Sequence, residues 1–425
     1  MGKYQGYEKY KASGVEWLGT IPEHWKRLSL RWLIQTSSGD FISNLDTEPE
    51  ITNEVFIPVV GGNGIMSYTN KKNTKANSLV VGRVGAHCGN VHLFKENTWV
   101  TDNALLITIK PQSAHSDFLF WLLKSLNLND TANKNAQPLI TGEMIKGRSI
   151  AIPPVDEQES IARFLDRKTS QIDALIAKKT ALLEKLDEKR TALISHAVTK
   201  GLDRSVPMKD SGVEWLGDIP EHWEIKRLRF LVVMHGGSTP NKANPEFWDG
   251  EIPWISAKDL KTERLKSSVD TITDKALQET SIHIHPKNGV VIVVRGMILA
   301  HSFPVAINDI DITINQDLKV LRTSQSNEFL AILLRGVKNI VLSIMEESGH
   351  GTKVLRTDLF KNVELPHPPQ VEQGEIVNYV HQKTAEIDRQ KGKVKEAIEL
   401  LKEYRTALIT NAVTGKIDVR QVGRV

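Results

Sequence analysis

The sequence predicts an α+β chain written twice: two tandem globular α/β blocks separated by two long helices, a pseudo-twofold internal repeat. Three observations predict it. A linker motif recurs 198 positions on, Ser13-Gly14-Val15-Glu16-Trp17-Leu18-Gly19 as Ser211 to Gly217 and Ile21-Pro22-Glu23-His24-Trp25 as Ile219 to Trp223. A helical stretch recurs 215 positions on, with Lys168-Thr169 as Lys383-Thr384 and Arg190-Thr191-Ala192-Leu193-Ile194 as Arg405 to Ile409. Between these copies lie short β-rich runs punctuated by glycine and asparagine.

The plan divides the chain into a linker and first block at 1–151, a central helical region at 152–206, a second linker and block at 207–366, and a C-terminal helical region at 367–425. Glycine and proline at fixed places make each linker a shaped connection, and Trp17 and Trp25 are expected to anchor it on a core. Leu30-Arg31-Trp32-Leu33 and Leu228-Arg229-Phe230-Leu231 then read as strand starts. Within the blocks, Ser78–Val81, Ala104–Ile109 and Val290–Val294 read as strands, and Asp117–Leu126 and Glu328–Met345 as helices. The second block is longer, and its extra residues fall mostly between about 259 and 288.

Each helical region opens after a proline pair, Pro153-Pro154 or Pro368-Pro369, which a helix can follow but not continue through. The first carries a seam at Ile161, Leu165, Ile172, Leu175, Leu182, Leu186 and Leu193, with lysines at 168, 179 and 189. The second carries Ile376, Val380, Ile387, Val394, Leu401 and Leu408. A period of 3.5 held this long is a coiled-coil signal, and two such stripes in one chain pair most economically with each other as an intramolecular antiparallel coiled coil. The alternative is two helices packed separately on their own blocks.

Composition narrows the class. One cysteine in 425 residues excludes a disulfide framework and fits a reducing cytoplasm. Met1 to Lys11 lacks the apolar run of a signal peptide, and Arg295 interrupts the most apolar stretch, so no membrane span is expected. A net charge of +4 and a pI near 8.8 permit a nucleic-acid partner without demanding one.

A search for catalytic machinery finds none. There is no phosphate-binding glycine loop, and Thr414-Gly415-Lys416 lacks the loop that would precede one. The proline pairs lack the flanking residues with which an adenine methyltransferase grips a flipped base. Glu23-His24 as an acid/base dyad and Cys88 beside His87 as a nucleophile read better as structure, and Glu224-Ile225-Lys226 as a nuclease metal site reads as chance, since its counterpart Lys26-Arg27-Leu28 has no carboxylate. His283 and His285 alternate on an expected strand, but without a third ligand nearby they do not make a metal site. No catalytic residue and no metal ligand is assigned.

Binding chemistry remains. In each block a strand ends in arginine and glycine, followed by a histidine: Arg83 with His87, and Arg295 with His301. Asn63, Tyr68, Lys71, Lys72 and Asn90 accompany the first, and Thr239, Asn241, Lys242, Ser256 and Lys258 the second. Arginine reads guanine edges, asparagine reads adenine, and lysine with serine or threonine holds phosphates.

The duplicated linker motifs, the Pro-Pro entries into Glu157-Gln158 and Glu372-Gln373, and the Arg-Thr-Ala-Leu-Ile helix ends together resemble the DNA-specificity subunit of type I restriction–modification systems. The resemblance covers essentially the whole chain. It implies that the blocks are target-recognition domains, each reading half of a bipartite asymmetric site in double-stranded DNA. It implies that the helices form a spacer docking two methyltransferase subunits, with restriction subunits outside. S-adenosylmethionine, ATP and magnesium then belong to those partners, and this chain carries no cofactor. Two alternatives stand beside it: a coiled-coil scaffold whose blocks bind no DNA, and the specificity module of another restriction or methylation system.

Overall fold

The computed structural model describes residues 4–131, 138–347 and 352–421. The chain divides into two compact units, one drawing on residues up to Thr180 and from Lys395 onward, the other spanning Ala181–Val394.

In the first unit a four-stranded antiparallel sheet runs, in spatial order, Ile34–Ser38, Ala104–Ile109, Ser78–Gly82 and Val91–Phe94. Ser78–Gly82 is buried along its whole length because both faces are covered. Leu79 and Val81 share a core with Phe118, Leu119 and Leu122 of the helix Ser116–Ser125. Val80, pointing the other way, meets Val60 and Val100 of a second sheet, Gly64–Thr69, Ile57–Gly61 and Trp99–Val100.

The second unit repeats this plan with additions. Its main sheet runs Val233–Gly236, Leu318–Arg322, Val290–Val293, Val305–Asn308 and Arg264–Leu265, and its small sheet Asp270–Ile272, Trp248–Ile255 and Thr313–Ile314. The extra residues supply the fifth strand, Arg264–Leu265, and a short helix, Asp274–Glu279, whereas Asp270–Ile272 holds in its small sheet the place that Gly64–Thr69 holds in the first. The helix expected over 328–345 divides into Asn327–Gly336 and Lys338–Ser343. A Cβ on Gly336 would lie 2.6 Å from Val198, so the chain passes too close to the long helix there for any side chain.

Each linker folds back on itself, Tyr10–Ala12 pairing with Thr20–Pro22 and Met208–Asp210 with Asp218–Pro220. Gly14, Gly19, Gly212 and Gly217 have φ of 68°, 59°, 72° and 60°, which explains the glycines of the repeated motif. Trp25 and Trp223 are fully buried, whereas Trp17 is 41% exposed, so Leu18 and Ile21 provide the anchoring expected of it. Leu30–Trp32 and Leu228–Phe230 are 3₁₀ turns, not strand starts; Leu30 and Leu228 are buried while Trp32 and Phe230 face solvent. The block ends close through two-stranded pairings, Lys26–Ser29 with Ser149–Ile152 and Glu224–Arg227 with Glu364–His367. Glu224 and Lys226 form an ion pair at 2.7 Å within that strand.

The long helices are Val155–Lys200 and Gln370–Val413. Segments of both contribute to each unit. In the first unit Ile161, Leu165 and Ile172 share a core with Leu408, Ile409 and Ala412, and an Arg405 guanidinium donates to Asp173 at 3.1 Å. In the second unit Arg190 donates to Asp388 at 3.1 Å and Lys391 pairs with Asp187, so residue numbers fall on one helix as they rise on the other.

The seam differs from expectation in one respect. Ile161, Leu165, Ile172, Leu186, Ile376, Val380, Ile387 and Leu408 are buried, and Leu193, Val394 and Leu401 are half-buried, but Leu175 and Leu182 are exposed. The second inward position of each heptad lies one residue later: Thr169, Ile176, Leu183 and Arg190, matched by Thr384, Lys391, Ile398 and Arg405. Leucine or isoleucine occupies both 175 and 176 and both 182 and 183, so the apolar pattern cannot choose. The later register carries Lys168 and Lys189 out of the seam and brings Arg190 and Arg405 to their carboxylates.

Candidate nucleic-acid interface

In the first unit, close backbone packing gathers the candidate residues. Gly61 pairs with Gly64 across the Gly62-Asn63 turn, and Gly64 has φ of 97°. A Cβ on Gly82 would lie 2.2 Å from the His87 carbonyl and 2.9 Å from the Gly62 Cα, so three loops meet where only glycine fits. Gly82 N–H donates to Asn90 O at 2.9 Å, Asn90 N–H donates to His87 O at 3.2 Å, and His92 Nε2 lies 3.2 Å from Gly62 O. Asn63, Arg83, His87 and Asn90 are thereby carried on one loop cluster at the end of the strand Ser78–Gly82. Asn63 and His87 are exposed, and Arg83, half-buried, donates from Nη1 to Ser38 Oγ at 3.2 Å.

Tyr68, Lys71 and Lys72 lie at the far end of the hairpin. Tyr68 exchanges backbone hydrogen bonds with Glu48 at 2.8 and 2.9 Å. Lys71 pairs with Asp46 at 2.8 Å, which neutralises it, whereas Lys72 has no ion pair among the described residues.

In the second unit Thr239 donates to Gln316, and Gln316 is followed by Asp317, whose carbonyl accepts from Arg295 N–H at 3.3 Å. Arg295 is exposed, and its guanidinium has no hydrogen bond or ion pair among the described residues. Asn241 and Lys242 occupy an exposed turn in which Asn241 Oδ1 accepts from Ala243 N–H at 3.0 Å. Ser256 and Lys258 serve structure: Ser256 forms a capping box with Asp259, and Lys258 pairs with Asp270 at 2.6 Å. His301 ends the turn after Arg295 and is exposed.

Sequence reading missed Ser38, His92 and Gln316, which hold these loops; no repeated motif marked them. Among the candidate residues, the cations with no ion pair or side-chain hydrogen bond to a described residue are Arg295, Lys72 and Lys242, all exposed, while Arg83 is half-buried and bonded to Ser38.

The other candidates resolve as structure. His24 Nε2 meets Glu157 Oε2 at 2.8 Å, not its neighbour Glu23, and His222 meets Glu372 at 2.8 Å. His283 and His285 lie outside any strand, with His283 exposed and His285 buried. Burial, with His235 and Arg322 nearby, lowers the His285 pKa to about 4. Among the described residues no group of three or more His, Cys, Asp or Glu is arranged to hold a metal. Burial pushes the Cys88 thiol up, away from the thiolate a nucleophile needs. No helix among the described residues is long and apolar enough to cross a membrane.

The family model for the type I restriction modification DNA specificity domain matches this chain twice, over residues 22–185 and 220–400. The chain is 31% identical over 142 residues to the specificity subunit of the type I restriction enzyme EcoprrI of Escherichia coli, covering 33% of this chain and 35% of that one. It is 30% identical over 199 residues to the MjaIX specificity subunit of Methanocaldococcus jannaschii, covering 44% and 45%. These alignments therefore span less than half the length of the curated relatives. A solved structure concerned with complex assembly and conformational transition of the type I R-M system contains a similar chain, at TM-score 0.72 and 14% identity, covering 93% of this chain and 99% of that one. The HsdS subunit from Thermoanaerobacter tengcongensis is similar at TM-score 0.54 and 15% identity, covering 93% and 98%. Those two likenesses concern fold. Matched twice, over segments that together take in both blocks and most of both long helices, the chain belongs to the type I restriction–modification DNA specificity family.

Proposed function

We propose that this chain is the DNA-specificity subunit of a type I restriction–modification complex, acting in the cytoplasm without catalytic activity of its own. Each block reads one half of a bipartite, asymmetric site in double-stranded DNA. The observation that carries this reading is the repeated match to one family model over two blocks of one topology, each presenting polar loops and an arginine after its central strand. Two methyltransferase subunits dock on the chain and restriction subunits join outside them; S-adenosylmethionine, ATP and magnesium serve those partners. With a net charge of only +4, phosphate attraction by this chain alone holds DNA weakly, and the methyltransferase subunits complete the grip.

In this reading the long helices form an intramolecular antiparallel coiled coil that relates the two halves by a pseudo-twofold axis and sets the unread gap between half-sites. The ion pairs Arg405–Asp173 and Arg190–Asp388, each formed between the two helices, support it. Val155–Lys200 has 46 residues, about 70 Å at ~1.5 Å per residue. Inserting one heptad into both helices keeps the seam in register and adds about 10 Å, roughly three base pairs. The expected result is a longer gap, or loss of binding because the second block meets the wrong face of the groove. Methylome mapping decides it: full methylation of the original site with its original gap would show that the helices are not the ruler.

At residue level, Arg295→Ala should weaken DNA binding by the assembled complex more than Arg83→Ala, because Arg295 is open while Arg83 is held by Ser38. A lost base-edge contact costs about 1–3 kcal/mol and relaxes one position of the site. Unchanged affinity and specificity in both variants would assign these arginines to structure.

A further inference from the structure

The loop that precedes the small sheet differs between the two units in what covers it. In the second unit the stretch between Gly237 and Ile252 buries Phe247, which forms a separate small core with Trp254, Ile272, Ala276 and Ile282. The cover comes from the extra residues, chiefly the helix Asp274–Glu279. It is fastened to the loop by Thr273, whose N–H donates to Phe247 O at 3.1 Å and whose hydroxyl donates to Glu246 O at 2.7 Å. Lys275 completes the fastening with an ion pair to Glu246 at 2.5 Å. An apolar face with a flanking lysine thus closes an apolar, acidic loop.

The first unit has the matching loop and lacks the extra residues. Gly39 packs against Val100 and Thr101 as Gly237 packs against Ile314, which fixes the correspondence. Between Gly39 and Ile57, Phe41 is 77% exposed and Leu45 98%, and Ile51 and Phe56 are also open to solvent. The same stretch carries Asp40, Asp46, Glu48, Glu50 and Glu54 and no lysine or arginine. The loop nonetheless has defined structure: Ser43 caps the turn Asn44–Asp46, and Glu48 is paired to Tyr68 of the hairpin. With Asp46 paired to Lys71, four uncovered large apolar side chains among the four remaining carboxylates make a surface that DNA phosphates are repelled from and that water solvates poorly.

We infer that the loop 40–56 is a docking surface for the methyltransferase subunit, which supplies in trans the amphipathic, lysine- or arginine-flanked segment that the second unit supplies for itself. This rests on the function proposed above. The methyltransferase is the partner chosen because the loop begins two residues after Ser38, whose hydroxyl accepts from Arg83 on the loop cluster of Asn63 and His87. Whatever covers Phe41 at the start of the loop therefore sits near the proposed DNA-reading loop cluster, where the subunit that modifies the target base must work. The docking is one-sided, since the second unit's loop is already covered.

Hydrogen exchange on the full chain tests this, alone, with the methyltransferase subunit of the same system, and with that subunit plus DNA. The expected result is slowed exchange over 40–56 on adding the methyltransferase without DNA. The variant Phe41→Ser/Leu45→Ser should bind that subunit at least about tenfold more weakly with unchanged melting temperature, since apolar anchors dominate such contacts. Protection that appears only with DNA would make the loop a DNA contact and overturn the inference. Protection elsewhere on the chain with none over 40–56, or undiminished binding by the variant, would overturn it while leaving the proposed function standing. Absence of any complex with the methyltransferase would remove the function and this inference together.

Discussion

Replacing residues 26–151 with the equivalent block of another family member will change one half of the methylated sequence and leave the other half intact. The block is a physical module because its two ends meet: Lys26–Ser29 and Ser149–Ile152 pair with each other, so an exchange carries this pairing almost whole. Its sheet, covering helix and loop cluster all lie between those ends. What the exchange must preserve is the seat on the long helix. There Phe118, Leu119 and Leu122 share a core with Ile161 and Leu165, and Trp121 Nε1 donates to Asp166 at 2.8 Å. Methylome sequencing of cells carrying the complete system with the exchanged subunit provides the readout. A change in both halves would show that the blocks do not read separately.

Glu157→Ala will destabilise the first unit by about 3–4 kcal/mol, more than any single surface change in the chain. Glu157 is 7% exposed and stands in the first turn of the long helix, where the helix dipole favours a carboxylate. It accepts from Tyr7 Oη at 2.5 Å and from Trp25 Nε1 at 3.1 Å, and it meets His24 at 2.8 Å. Burial first, and then this carboxylate, hold the Tyr7 phenol far above its ordinary pKa. Alanine would leave the tyrosine and tryptophan donors buried without an acceptor, at about 1–3 kcal/mol each, while exposed His24 can turn to water. The second copy is the internal control. Glu372 is 21% exposed and among the described residues has His222 and Trp223 as its side-chain partners, so Glu372→Ala should cost about 1–2 kcal/mol. Denaturant unfolding of both variants measures the difference, and equal losses would mean that Tyr7 contributes nothing.

This cluster also shows what in the sequence was legible. Pro-Pro-x-x-Glu-Gln and Pro-Glu-His-Trp each appear twice, and the structure joins them: the tryptophan and histidine of each linker meet the glutamate of each helix. The glutamines close the helix starts, Gln158 donating to Pro153 O at 2.9 Å and Gln373 to Pro368 O at 3.0 Å. Two motifs distant in sequence were each visible, but no pattern within either indicated its partner.

By itself the sequence determined what depends on local chemistry and repetition: two copies of one plan, the helix starts after the proline pairs, the central strands Ser78–Gly82 and Val290–Val293, and the arginine after each. Those features follow from backbone propensity and apolar periodicity, which act over a few neighbouring residues. Only the tertiary structure decided which of two equally apolar registers faces inward on the long helices, because Ile176 over Leu175 is a choice made by the facing helix and its ion pairs. It likewise neutralised Lys71 and Lys258 through Asp46 and Asp270 while leaving Arg295 open. A cation's availability depends on carboxylates brought near it by the fold, and a one-dimensional pattern carries no such distances.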